Sequence, residues 1–131
     1  MRIMEGGCLC GAIRYRITGT PLSSVICHCT SCRRASGAPT VAWLTVDREC
    51  FEVLRGSARA FHSSRGVIRR FCPDCGSALT YENSKSPTSI DVTSASLDDP
   101  GAFPPTAEVW LEHKISWQAA DANLIPHRQG S

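Results

Sequence analysis

Apolar and polar residues alternate in short stretches along this chain. The segment Ala12-Ile13-Arg14-Tyr15-Arg16-Ile17 puts Ile13, Tyr15 and Ile17 on one side of an extended strand and both arginines on the other, the period-two pattern of a half-buried strand. Residues 41–46, 51–54, 67–71, 90–93 and 109–111 are further β-type stretches rich in Val, Ile, Phe and Leu. Turn signals separate them at hairpin intervals: Gly19-Thr20-Pro21, Gly37-Ala38-Pro39, Arg55-Gly56-Ser57, residues 83–87 and Asp99-Pro100-Gly101. Helical periodicity is scarce. One short helix is predicted over residues 31–35, stopped by Gly37. The layout is that of a mainly β protein of short antiparallel strands.

Length and composition refine this picture only slightly. A chain of 131 residues with 42% hydrophobic and 20% charged residues can bury one modest core, so residues 1–131 read as a single domain, with fraying expected only over residues 127–131. A formal charge of +2 is far from the basic excess that grips a phosphate backbone, so a nucleic-acid partner is not implied. The opening Met-Arg-Ile-Met-Glu-Gly-Gly-Cys carries no apolar run of signal-peptide or membrane-helix length. The expectation is a cytoplasmic protein with no membrane association.

The cysteines change the picture. There are eight, at positions 8, 10, 27, 29, 32, 50, 72 and 75, and reducing conditions in the cytoplasm make disulfides a poor explanation for them. On a strand Cys8 and Cys10 point the same way, so a C-x-C offers two thiolates to one ion. Cys72-Pro73-Asp74-Cys75-Gly76 has the form of a zinc knuckle, with Pro opening a tight turn and Gly able to take a positive φ after it. Joining Cys8 and Cys10 to Cys72 and Cys75 gives a closed four-thiolate structural zinc site. Cys27, Cys29 and Cys32 supply three more thiolates within six residues, which suits a second, catalytic zinc with its fourth position open to substrate. Spacing alone leaves another pairing available, a zinc ribbon joining 27/29 or 29/32 to 72/75 with the other thiols free.

Other chemistry-bearing residues give weaker signals. His28 would face away from Cys27 and Cys29 on a strand and is read as a non-ligand. Cys50 reads as a small buried residue at a strand start, and His62, His113 and His127 as surface or packing residues. Cys32 would fall in the first turn of the short helix, where the helix dipole favours a thiolate.

Three motifs together resemble a known family: Gly7-Cys8-Leu9-Cys10-Gly11, Cys27-His28-Cys29-Thr30-Ser31-Cys32-Arg33-Arg34, and Arg70-Phe71-Cys72-Pro73-Asp74-Cys75-Gly76. Ser36-Gly37-Ala38, Ser77-Ala78-Leu79, Ser96-Leu97-Asp98-Asp99-Pro100, Trp117 and the Leu-Ile-Pro that ends at Pro126 extend the likeness nearly end to end. The chain resembles the glutathione-dependent formaldehyde-activating enzymes, whose domain is shared with centromere protein V. The resemblance implies a β-tent fold around two zinc ions per chain, structural at Cys8, Cys10, Cys72 and Cys75 and catalytic at Cys27, Cys29 and Cys32. It implies a carbon-sulfur lyase that handles a small thiol-aldehyde adduct such as S-hydroxymethylglutathione, with glutathione as the candidate thiol. Arg33, Arg34, Arg69 and Arg70 are then candidate partners for its carboxylates, and the loops over residues 56–66 and 83–88 would shape the pocket. The alternative is a non-catalytic zinc-stabilised β module for a protein or nucleic-acid partner; a thiol-rich metal store or redox sensor ranks below both.

Overall fold

Strand alternation sorts this chain into two sheets. The computed structural model describes residues 2–130. Its strands are β1 (Ile3–Gly7), β2 (Arg14–Thr18), β3 (Ser23–Cys27), β4 (Val41–Asp47), β5 (Phe51–Arg55), β6 (Arg59–Ser64), β7 (Val67–Phe71), β8 (Ala78–Asn83), β9 (Ser89–Thr93), β10 (Ala107–Val109) and β11 (Ile125–Pro126), with one α-helix among the described residues, α1 (Thr30–Ser36). The smaller sheet has the order β1-β2-β5; the larger runs β11-β10-β3-β4-β9-β8-β7-β6. The chain is mainly β, as expected. Pairing is antiparallel except along β3-β10-β11, where the returning C-terminal segment runs parallel.

The central strand β4 shows how the sequence separates core from site. Leu44 and Val46 turn to one face and join Ile90, Val92 and Leu79 with Met4, Tyr15 and Ile17 of the smaller sheet. Trp43 turns to the other face and packs with Val25, Val41, Tyr81, Val109 and the thiols of Cys27 and Cys32. One face is therefore a core shared with the second sheet, and the opposite face carries the cysteine triad. Burying Tyr15 requires a partner for its hydroxyl, which Ser96 supplies at 2.6 Å. The ring lies close against the backbone of β1, so a Cβ on Gly6 would fall 2.5 Å from the Tyr15 hydroxyl and the Ser96 carbonyl.

Several elements differ from expectation for identifiable reasons. The expected loop over residues 56–66 contains β6, an edge strand exposed at every position, whose polar side chains carry no burial pattern to read. The expected strand over residues 109–111 ends at Val109, because Trp110 adopts a left-handed backbone, φ 59° and ψ 38°. Cys50 lies in a 3-10 turn before β5 and is half-buried. Residues expected to fray are tied down: Trp110 donates to Gln129, Leu111 to His127 and Glu112 to Arg128 through backbone amides. Ser131 lies outside the described residues. No helix among the described residues is long and apolar enough to cross a membrane.

Candidate functional site

Seven of the eight cysteines gather into two clusters. Cys8, Cys10, Cys72 and Cys75 bring their sulfurs within 4.8 Å of one another, and Cys27, Cys29 and Cys32 do the same. The partition is by sheet geometry. Cys8 and Cys10 follow β1, while Cys72 and Cys75 follow β7 of the larger sheet, so the first cluster bridges the two sheets. The ribbon pairings of 27/29 or 29/32 with 72/75 do not form.

The first cluster has the dimensions of a metal site. Four sulfurs about 2.3 Å from a tetrahedral zinc lie about 3.8 Å apart; the sulfurs of Cys8 and Cys10 are 3.6 Å apart, and those of Cys10 and Cys72 are 3.7 Å apart. Backbone and hydroxyl donors surround the sulfurs. The Ile13 amide donates to Cys8 at 3.3 Å, and the Ser77 hydroxyl lies 3.2 Å from the Cys75 sulfur. Hydrogen bonds from the side chain and amide of Ser77, with the Cys10 amide, push the Cys75 thiol down to about 5. Donors aimed at sulfur suit four thiolates on one ion.

The triad is assembled at the junction of β3 and α1. Cys27 ends β3, Cys29 caps the helix by accepting from the Cys32 amide at 3.3 Å, and Cys32 lies one turn on. The Cys29 thiol is pushed down to about 2, first by hydrogen bonds with Cys27, then by those with Cys32, and further by the Arg69 cation. Cys27 moves upward through the same contacts with Cys29 and Cys32. Three crowded thiols thus ionise as a group, one readily and the others with difficulty. A divalent cation resolves that conflict, so the donor set fits zinc.

Two cavities meet at the triad. The larger, about 700 Å3, runs between α1, β4 and β7 and is lined by Cys32, Arg34, Trp43, Phe61, Arg69 and Phe71 among others. The smaller, about 200 Å3, contains all three triad cysteines together with Trp43, Arg69, Tyr81, Asp91 and Trp110. Arg69 belongs to both. Its guanidinium lies over the Tyr81 ring, 4.9 Å from the centroid, with two nitrogens 3.7 Å from the Cys32 sulfur. The left-handed backbone of Trp110, costly for a bulky side chain, places its indole in the small cavity and stacks it on His113 at 5.2 Å.

The candidate arginines separate. Arg70 pairs with Glu82, which also accepts from Arg48 at 2.6 Å, so the Arg70 charge is already matched. Arg34 and Arg69 face the large cavity and have no carboxylate partner among the described residues. Arg33 lines neither of the two cavities, and its buried Nε has no hydrogen-bond partner. His28 is outside the thiol cluster: fully buried, its Nε2 donates to Glu108 Oε1 at 2.8 Å. His62 and His113 are exposed and His127 is half-buried; none joins a thiol cluster. Sequence reasoning missed Glu108 and Asp91, whose partners are remote in sequence, and Trp110, whose role depends on one backbone dihedral.

Known proteins share both the sequence pattern and the fold. The pattern of a family described as glutathione-dependent formaldehyde-activating enzyme matches residues 3–113. A Halomonas elongata protein named as a candidate glutathione-dependent formaldehyde-activating enzyme is 27% identical over 124 residues, covering 88% of this chain and 79% of that protein. The crystal structure of a Rhodobacter sphaeroides protein superposes with a TM-score of 0.63 at 21% identity, covering 95% of this chain and 99% of the other. This last likeness is one of fold.

Proposed function

The chain belongs to the glutathione-dependent formaldehyde-activating enzyme family, and on that premise we propose that it is a zinc-dependent carbon-sulfur lyase making and breaking the adduct of a small thiol with an aldehyde, as in S-hydroxymethylglutathione. The observation that carries this reading is the contrast between the two cysteine clusters. One has four sulfurs, a complete set for structural zinc; the other has three and lies in a cavity. Cys27, Cys29 and Cys32 would hold the catalytic zinc, and Cys8, Cys10, Cys72 and Cys75 the structural one. A bound zinc with an open position supplies Lewis acidity, favouring a thiolate at neutral pH or polarising a carbonyl oxygen.

The protein's own residues then bind and orient. Trp43, Tyr81 and Trp110 line the small cavity with aromatic surface that holds reactants against the triad and limits water. Arg34 and Arg69 offer unmatched cations to the carboxylates of a thiol such as glutathione. In the synthetic direction the sulfur bonds to the carbonyl carbon, the carbon-oxygen π bond breaks, and the thiol proton ends on that oxygen. No electrons are gained or lost overall.

The test compares formation of S-hydroxymethylglutathione by exchange spectroscopy with zinc content per chain. Wild type should accelerate adduct exchange and hold two zinc ions. Cys29→Ser should abolish the acceleration and hold one. A wild-type protein with two zinc ions and no acceleration for any thiol-aldehyde pair sinks the proposal.

A further inference from the structure

Asp91 is a charged group for which the reaction outlined above has no use. It lies on β9, and the strand register fixes its direction: Asp91 is opposite Thr45 on β4 and Tyr81 on β8, with Ser23 beyond Thr45 and Arg69 beyond Tyr81. Directly opposed residues share a face, so Ser23, Thr45, Asp91, Tyr81 and Arg69 form a polar row across the sheet on the triad side. Ile90 and Val92, its sequence neighbours, point into the core. Asp91 therefore lines the small cavity in company with Cys27, Cys29 and Cys32.

Its hydrogen bonding is incomplete. Oδ1 accepts from the Thr45 hydroxyl at 2.6 Å, and no donor among the described residues reaches Oδ2. Asp91 has no ion-pair partner among the described residues either. The nearest cation along the row, Arg69, is turned towards Cys32 and Ser63. Burial accordingly pushes the carboxyl upward, only partly offset by Thr45. A half-buried carboxylate in a cavity, left without a cation by the fold, is a position from which a cationic ligand would gain a charge-assisted hydrogen bond.

We propose that Asp91 is the ammonium subsite of the small cavity, so that the thiol taken at the cysteine triad is one carrying a primary amine, as the γ-glutamyl end of glutathione does. This rests on the thiol-binding reading above and gives it polarity: sulfur at the triad, amine at Asp91, and carboxylate towards the larger cavity with Arg34 and Arg69. A thiol of the same length without the amine would leave the Asp91 carboxylate desolvated and unpaired, which makes the subsite selective as well as attractive.

The experiment is calorimetric binding to the zinc-loaded protein of two thiols, glutathione and glutaryl-cysteinylglycine, which lacks only the amine. Wild type should bind glutathione about tenfold or more tightly than the desamino thiol, the size of one charge-assisted hydrogen bond. Asp91→Asn, which keeps an acceptor for Thr45, should bind the two within about twofold. Equal affinity in wild type, a comparison that needs no variant, overturns the ammonium subsite and leaves thiol binding at the triad standing. Persistent discrimination in Asp91→Asn also overturns it. Failure of both thiols to bind wild type overturns the subsite and the thiol-binding reading together.

Discussion

The carboxylate of Glu108 on β10 holds two remote parts of the chain at once: Oε1 accepts from His28 Nε2, and Oε2 accepts from the Asp121 backbone amide, each at 2.8 Å. His28 stands between two triad cysteines, and Asp121 belongs to the segment that returns to β11. One buried side chain thus ties the triad loop to the C-terminal strap, beside the backbone bonds that hold each. Glu108→Ala strands one buried donor, His28 Nε2, and leaves the amide of the exposed Asp121 to water, so it should lower stability by about 1–3 kcal/mol in urea titration. Glu108→Gln, which keeps an acceptor, should cost less than half as much.

Arg69 should matter to metal retention at the triad. Its guanidinium is 3.7 Å from the Cys32 sulfur and would balance the excess negative charge of three thiolates around a divalent ion. Arg69→Met should weaken zinc binding there about tenfold, more at low salt than at high salt. Competition with a chromophoric chelator should show the faster-released zinc leaving earlier, with the slower release from the four-thiol cluster unchanged. Identical release curves for wild type and variant would refute this role.

Asp91 gives a pH dependence of definite sign. Burial raises its carboxyl pKa in the folded protein above that of the unfolded chain, so the unfolded state releases its proton first as pH rises. Folded stability from the neutral carboxyl is full below the unfolded value and is lost as pH climbs through the folded one. Asp91→Asn remains neutral throughout. Its melting temperature relative to wild type should therefore increase between pH 4 and pH 7 in the absence of thiol, and a constant difference would contradict the assigned cause.

Gly6 has no room for a side chain. A Cβ there would meet the Tyr15 hydroxyl and the Ser96 carbonyl at 2.5 Å, the hydroxyl held in place by its 2.6 Å hydrogen bond with the Ser96 side chain. Gly6→Ala should destabilise the chain by about 1–3 kcal/mol, as overpacking does. The double variant Gly6→Ala, Tyr15→Phe should lose about the sum of the two single changes, because the ring carbon Cζ, 2.6 Å from that Cβ, and the Ser96 carbonyl, at 2.5 Å, both remain in the way. Denaturant melts of the four proteins test both statements.

Much of the fold was legible where pattern and partner are local. The strand at Val67–Phe71 coincides with expectation, and α1 extends the expected helix by one residue at either end, since Gly37 accepts the left-handed backbone that stops it. The cysteine partition was legible in part: C-x-C and C-x-x-C spacings mark thiols that can share an ion, but a pairing of 27/29 or 29/32 with 72/75 stayed open until the sheets set the two clusters apart. What was not legible depends on tertiary placement. β3, Ser23–Cys27, alternates poorly because both its faces are partly covered. The buried Glu108 looks in sequence like any surface acid between Ala107 and Val109, and only the register of β10 on β3 brings it to His28. Asp91 became noticeable only once its neighbours across the sheet were known.

The four-thiol cluster joins the smaller sheet, through the residues after β1, to the larger, through the residues after β7. Cys10 and Cys72 are 62 positions apart, and a cross-link closing a loop of that length removes unfolded-chain entropy worth about 4 kcal/mol. For a chain this short that is a large share of the 5–15 kcal/mol, roughly, that holds a domain folded. Were zinc the cross-link, the lifetime of the molecule in a cell would become a function of metal supply. Scarcity would shorten it by feeding unfolded chains to proteases.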